Sequence, residues 1–232
     1  MDIKIIPDKY EIQARIFPAI IVLIPFLIFT INCDISGLSH AFDDLLKVRI
    51  IGNLSIGLVL LFLLYQTNRF FGKFIFEKRS FNDELNMPTT RFLLFSDTQY
   101  SQNYKLRTRQ KIKTDFKVDM PSEVDERTDL VESKRRIVEA VGLIRGKVKK
   151  GNLLHQYNIE FGFARNLIGG SIIGLLVSIF DIIYFLYKSF IFSWLSIFLT
   201  LFFIMLLLQH RSIINHLGNQ YAKRLFQEYL QS

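Results

Sequence analysis

The chain has 232 residues, half of them hydrophobic, with 23 phenylalanines and a net charge of +8 at pH 7. It holds four apolar runs of spanning length, more than a chain of this size can bury as helices in its own interior, which excludes a soluble globular protein. The single cysteine, Cys33, excludes an intrachain disulfide, so nothing in the fold depends on an oxidising compartment.

Ile16 to Cys33 is the first run, without formal charge and long enough to cross ~30 Å of hydrocarbon as a helix. Fifteen residues precede it and no small-residue cleavage site follows, so it is expected to stay in place and not to be removed as a signal peptide. The connector Asp34 to Arg49 is slightly acidic, with Asp34, Asp43 and Asp44 against Lys47 and Arg49. Ile50 to Asn68 is the second uncharged run and completes a first membrane hairpin within residues 1–68. Leu58 to Leu64 shows no polar residue at all, as expected of a helix apolar all round.

Residues 69–165 change character. From Thr67 to Arg165 there are twenty lysines and arginines against thirteen acids, and Arg69, Lys73, Lys78, Arg79 and Arg165 lie near the ends of apolar runs. Lysine and arginine are retained on the cytoplasmic side, which predicts that this domain and both termini are cytoplasmic. Within Met87 to Ser96, Pro88, Thr89 and Thr90 break any helix from upstream, and Arg91 to Phe95 is left open between a short strand and a loop packed against the membrane face. Tyr104 to Phe116 reads as helix in preference to strand, with Tyr104, Thr108, Ile112 and Phe116 four apart. Pro121 and Ser122 open one further helix, where Ser122 and Asp125 fit a capping box. Acids crowd its first turns and bases its last, complementing the helix dipole. Leu130, Ile137 and Ile144, joined by Val131, Val138, Val141 and Val148, give it an apolar stripe, and Gly151 is its expected stop.

The second hairpin occupies residues 166–210, with runs 166–187 and 189–210, followed by a tail, 211–232. In its first run Gly170, Gly174 and Ser178 are four apart, with Gly162 and Asn166 extending the row backwards. Small residues at that spacing let two helix backbones approach closely in lipid. Asp181 falls on the same face, where it can meet a helix partner or an aqueous path. It also lies only about 10 Å from Lys188 along a helix axis, near the outer interface. Ile191 to Leu208 is polar only at Ser193, Ser196 and Thr200.

Catalytic patterns are missing from the sequence. The four histidines have no metal spacing, and Gly169-Gly170 lacks the lysine and hydroxyl of a phosphate loop. Asp97, His155 and Glu160 are the residues from which an interfacial enzyme would have to be built. The expectation is no enzyme, no metal and no cofactor. The dense stretch Lys105, Arg107, Arg109, Lys111 and Lys113, flanked by Tyr104 and Phe116, carries charge that membrane orientation does not require. It is the candidate site for an anion: a nucleotide, an oligonucleotide or lipid headgroups, the last at ~1 kcal/mol per base.

Lys134 to Gly170, including Arg135-Arg136-Ile137, Ala140 to Arg145 and Phe161 to Gly170, resembles uncharacterised prokaryotic four-span membrane proteins. The overall plan is similar to small membrane effectors of bacterial anti-phage systems. That resemblance implies a cytoplasmic domain sensing a nucleotide-type signal and spans that permeabilise the membrane; no site residue is carried over from it. The sequence thus predicts an all-α, multi-pass inner-membrane protein with four transmembrane helices in two hairpins and a helical cytoplasmic domain inserted between them. It is expected to work in the lipid bilayer as a homo-oligomeric channel or membrane-disrupting effector. The alternative is a non-conducting scaffold recruiting a cytosolic partner protein or nucleic acid.

Overall fold

The structure, a computed structural model, describes residues 8–32, 49–148, 152–186 and 188–232. The expectations that rest on Cys33, on most of the acidic connector and on Gly151 lie outside these residues. Among the described residues the regular structure is all helix and contains no strand. In chain order, α1 (Lys9–Glu11) runs through a π-helical stretch (Ile12–Ile16) into α2 (Phe17–Asn32). Helix α3 (Arg49–Phe71) runs through a second π-helical stretch (Gly72–Glu77) into α4 (Lys78–Phe81). Then come α5 (Pro88–Leu93), α6 (Gln102–Phe116), α7 (Glu123–Thr128), α8 (Leu130–Val148), α9 (Asn152–Phe185) and α10 (Phe190–Gln231). The chain divides into two compact units, Met1–Phe76 with Phe163–His210, and Glu77–Gly162 with Arg211–Ser232.

Three helices are long and apolar enough to cross a membrane, Lys9–Thr30, Leu153–Phe185 and Phe190–Gln231. At 42 residues the last is ~63 Å long, about twice the hydrocarbon thickness. Its composition marks the change: Phe190, Ile191, Trp194, Phe198, Leu201 and Leu208 are exposed and apolar, whereas beyond Arg211 the exposed side chains are polar.

The first unit is held by close helix approach. The Cβ that Gly169 lacks would collide with the backbone of Asn68 and Gly72, and that of Gly72 with the carbonyl of Arg165. Helices α3 and α9 therefore meet backbone to backbone, a contact only glycine allows. Gly170 faces the Asn68 side chain and Gly174 the Phe203 ring. The small-residue row of α9 is thus filled from inside the chain. Pro18 has no N–H to offer the carbonyl of Ala14 four residues back, and Asn166 Nδ2 donates to that carbonyl at 2.6 Å. Val22, Ile28, Leu167, Phe185, Leu199 and Phe203 form the buried apolar core of this unit.

The second unit departs from expectation in three places. Pro88 starts a helix and does not merely end one: it stands at the first position of α5, where its missing N–H is no loss, so 88–93 is neither strand nor loop. The capping box at Ser122 and Asp125 forms, but the helix it opens ends at Thr128. Asp129 is extended, and its Oδ1 accepts from Val131 and Glu132 N–H, starting α8 anew. This turn leaves Leu130 and Val131 exposed, and the buried stripe of α8 is Ser133, Ile137, Ala140, Val141, Ile144 and Val148. Residues 211–232 are the end of α10 and supply Leu225, Phe226 and Tyr229 to the core. Phe226 stacks on Phe92 at 4.0 Å between centroids, and each such buried ring contributes roughly 1.5–3 kcal/mol.

Candidate functional site

The basic stretch lies on α6, whose first turn is capped by Ser101 Oγ accepting from Tyr104 N–H. The helix buries Lys105, Thr108, Arg109 and Ile112, a face that takes in two of the five bases. What draws them in is α5. A helix of six residues leaves its last carbonyls without partners, and buried carbonyls must be satisfied. Lys105 Nζ donates to Leu94 O at 2.7 Å and to Asp97 O. Arg109 donates to Leu93 O, to Pro121 O and, at 2.7 Å, to Glu126 Oε1. Glu126 in turn accepts the N–H of Phe95 at 2.9 Å, and the guanidinium lies 3.9 Å from the Phe95 ring centroid. Burial pushes the Lys105 ammonium below its ordinary range, with Asp97 and Glu126 opposing. Burial also works against the charge of Arg109, and Glu126 sustains it.

The remaining bases point elsewhere. Arg107 and Lys113 are exposed, the latter paired with Asp119 at 2.8 Å. Lys111 Nζ lies 5.5 Å from the centroid of Tyr229. Tyr104 packs on Phe92 and Tyr100, with centroids 5.4 and 6.1 Å away. The five bases and Tyr104 therefore do not make one anion-binding surface: two bases and the aromatic ring belong to the packing of the domain. A groove of about 260 Å³ in this unit is lined by Phe95, Ser96, Glu123, Glu126, Arg127 and Leu130, and its two acids are paired, Glu126 with Arg109 and Glu123 with Arg127.

A second cluster was not legible in the sequence. Tyr229, fully buried, donates its hydroxyl to Asp115 Oδ2 at 2.9 Å, and Lys147 Nζ reaches the same oxygen at 2.7 Å. The Lys147 and Tyr229 hydrogen bonds hold the Asp115 carboxyl below its usual range, while burial and then Asp115 push the Tyr229 phenol up. This ties α6, α8 and α10 together across long sequence separations.

In the first unit, Asp181 is fully buried and neither carboxylate oxygen has a hydrogen-bond partner among the described residues. Lys188, its nearest base in sequence, donates to the Tyr184 hydroxyl at 2.8 Å. Among the described residues Asn68, also fully buried, has no partner for either amide atom, and Thr200 Oγ1 is likewise enclosed and unpartnered. Ser178 donates to Gly174 O at 2.7 Å and Ser196 to Phe192 O at 2.9 Å. Among the described residues no three His, Cys, Asp or Glu side chains gather where a metal ion could sit. Asp97 accepts from Gln99 N–H and Glu160 from Gln156, both local bonds. Comparison with protein-family models, with curated proteins and with solved structures finds no match to this chain.

Proposed function

We propose that the protein is a four-span inner-membrane channel or membrane-perturbing effector, homo-oligomeric, with its second unit and both termini in the cytoplasm. The fourth span is α3, on which Leu58, Val59, Phe62 and Leu63 stay exposed beside three candidate spanning helices. The observation that carries the reading is the set of fully buried polar side chains without partners among the described residues, Asp181 and Asn68, in the first unit. Such groups are costly in a membrane and a passive anchor has no use for them. Helices α9 and α10 each contribute residues to both units. A role in anti-phage defence rests on the similarity of plan alone.

Purified protein in planar bilayers or liposomes is expected to carry ion current or release trapped ions. Reporter fusions at Ser232 and within Asp34 to Asp44 are expected to read inside and outside respectively. Ion-tight membranes at high protein density, with topology intact, would favour the scaffold.

Control by an anion narrows to the exposed bases. Arg107→Glu with Lys113→Glu should lower the slope of log affinity for single-stranded oligonucleotide against log salt by about 1.4. Lys78→Glu with Arg79→Glu, near the first unit, should leave that slope unchanged. Binding no tighter than to a charge-matched control at low salt would remove nucleic acid as the ligand.

A further inference from the structure

Helices α9 and α10 are consecutive and antiparallel, and two contacts fix their register. Phe203 seats its ring on Gly174, and Phe192 packs on Phe185 with centroids 5.6 Å apart. The residue numbers of facing positions have the same sum in both contacts, so one register holds along the whole pair. Two turns from the Gly174–Phe203 contact, on α9 and α10 respectively, stand Asp181 and Ser196, and seven residues return a helix to nearly the same face. Both are fully buried. They therefore face each other across the helix pair, between the two contacts. One turn away, the same register sets Ser178 opposite Leu199, with Thr200 the next residue on α10.

What the two serines and the carboxylate present is oxygen without spare hydrogen. The Ser178 and Ser196 hydroxyls donate to carbonyls of their own helices, leaving lone pairs only. Thr200 Oγ1 and both oxygens of Asp181 have no partner among the described residues. A neutral hydrogen-bonded network would aim a donor at the carboxylate, and an anion site would offer N–H groups; the Thr200 hydroxyl, the one spare donor of the four, makes no bond to Asp181, and no N–H group is among these side chains. A carboxylate backed by hydroxyl oxygens is the donor set of a hard cation. One negative charge balances one positive charge, so a monovalent ion leaves the site neutral, whereas a divalent ion would leave net charge in an apolar setting. Rings of Phe29, Phe180 and Tyr184 pack together beside this level, with centroids 5.1 and 5.3 Å from Phe29.

We infer that Asp181, Ser196, Ser178 and Thr200 form a binding site for a small dehydrated monovalent cation between α9 and α10. Phe203 on Gly174 closes this site on the side toward Asn68. The inference rests on the membrane-spanning reading of this unit but needs no conduction, so it is tested by binding.

The only tryptophan, Trp194, stands two residues from Ser196 and is a built-in reporter. Full-length protein in nanodiscs is titrated with Li⁺, Na⁺ or K⁺ chloride against N-methylglucamine chloride at constant ionic strength. Trp194 fluorescence and thermal midpoint are followed together. At least one small cation should give a saturable change in both. Asp181→Asn should abolish it, and Ser196→Ala should shift its midpoint about tenfold to higher concentration, about 1.4 kcal/mol. Ser196→Ala keeps the test open if Asp181→Asn fails to fold. Identical responses to small cations and N-methylglucamine overturn the site. A response to pH alone, with none to any small cation, also overturns it and leaves a proton carrier. A site that binds in ion-tight membranes would stand while the channel reading falls.

Discussion

Arg109→Met is expected to destabilise the second unit by about 3–5 kcal/mol, the range for removing one partner of a buried ion pair. The change strands Glu126, only 7% exposed, and leaves the Leu93 and Pro121 carbonyls without their Arg109 donors. Methionine fills much of the volume, so the loss is electrostatic and hydrogen-bonding and not a cavity effect. Arg107→Met, on the exposed side of the same helix, should change stability by less than about 0.5 kcal/mol. Thermal unfolding and limited proteolysis in detergent measure both. Equal midpoints for the two variants would mean that Arg109 does not hold α5 and α7 together.

Gly169→Val should prevent the first unit from assembling, a larger effect than any other single change in α9. A Cβ at this position meets backbone of Asn68 and Gly72, which no side-chain rotation relieves. Overpacking costs typically 1–3 kcal/mol, and a backbone-to-backbone clash belongs at or above the top of that range, about 3 kcal/mol or more. Gly174→Ala meets the rim of the Phe203 ring, which can swing, so it should be milder. Leu176→Phe, at a position 65% exposed, should be neutral. Because Gly170 and Gly174 are filled from within the chain, these changes should act on the monomer: loss of heat-stable protein, and not a shift from oligomer to monomer, is the expected readout on native mass. An intact monomer from Gly169→Val would place the row at a subunit contact.

The class of the protein was legible from its residues. Uncharged apolar runs of spanning length leave a chain few choices, and a helix satisfies its own backbone wherever it lies. Local signals were equally readable: the Ser122 capping box involves residues three apart, and the small row on α9 follows from helical spacing alone. What the sequence left undecided is long-range. Whether Lys105 and Arg109 face water or protein depends on α5, whose carbonyls need donors and whose existence hangs on Pro88 standing at a helix start and not at a helix end. Asp129 could continue a helix or cap the next one, and that choice moved Leu130 and Val131 out of the core. Residues 211–232 looked like a tail because no local pattern ties Leu225, Phe226 and Tyr229 to Phe92 and Asp115. The row of Gly170 and Gly174 shows that something comes close, but only packing identifies Asn68 and Phe203 as what does. Period and charge thus determine which elements form, while the partners of buried carbonyls, carboxylates and glycines are chosen by the tertiary fold, where distant residues first meet.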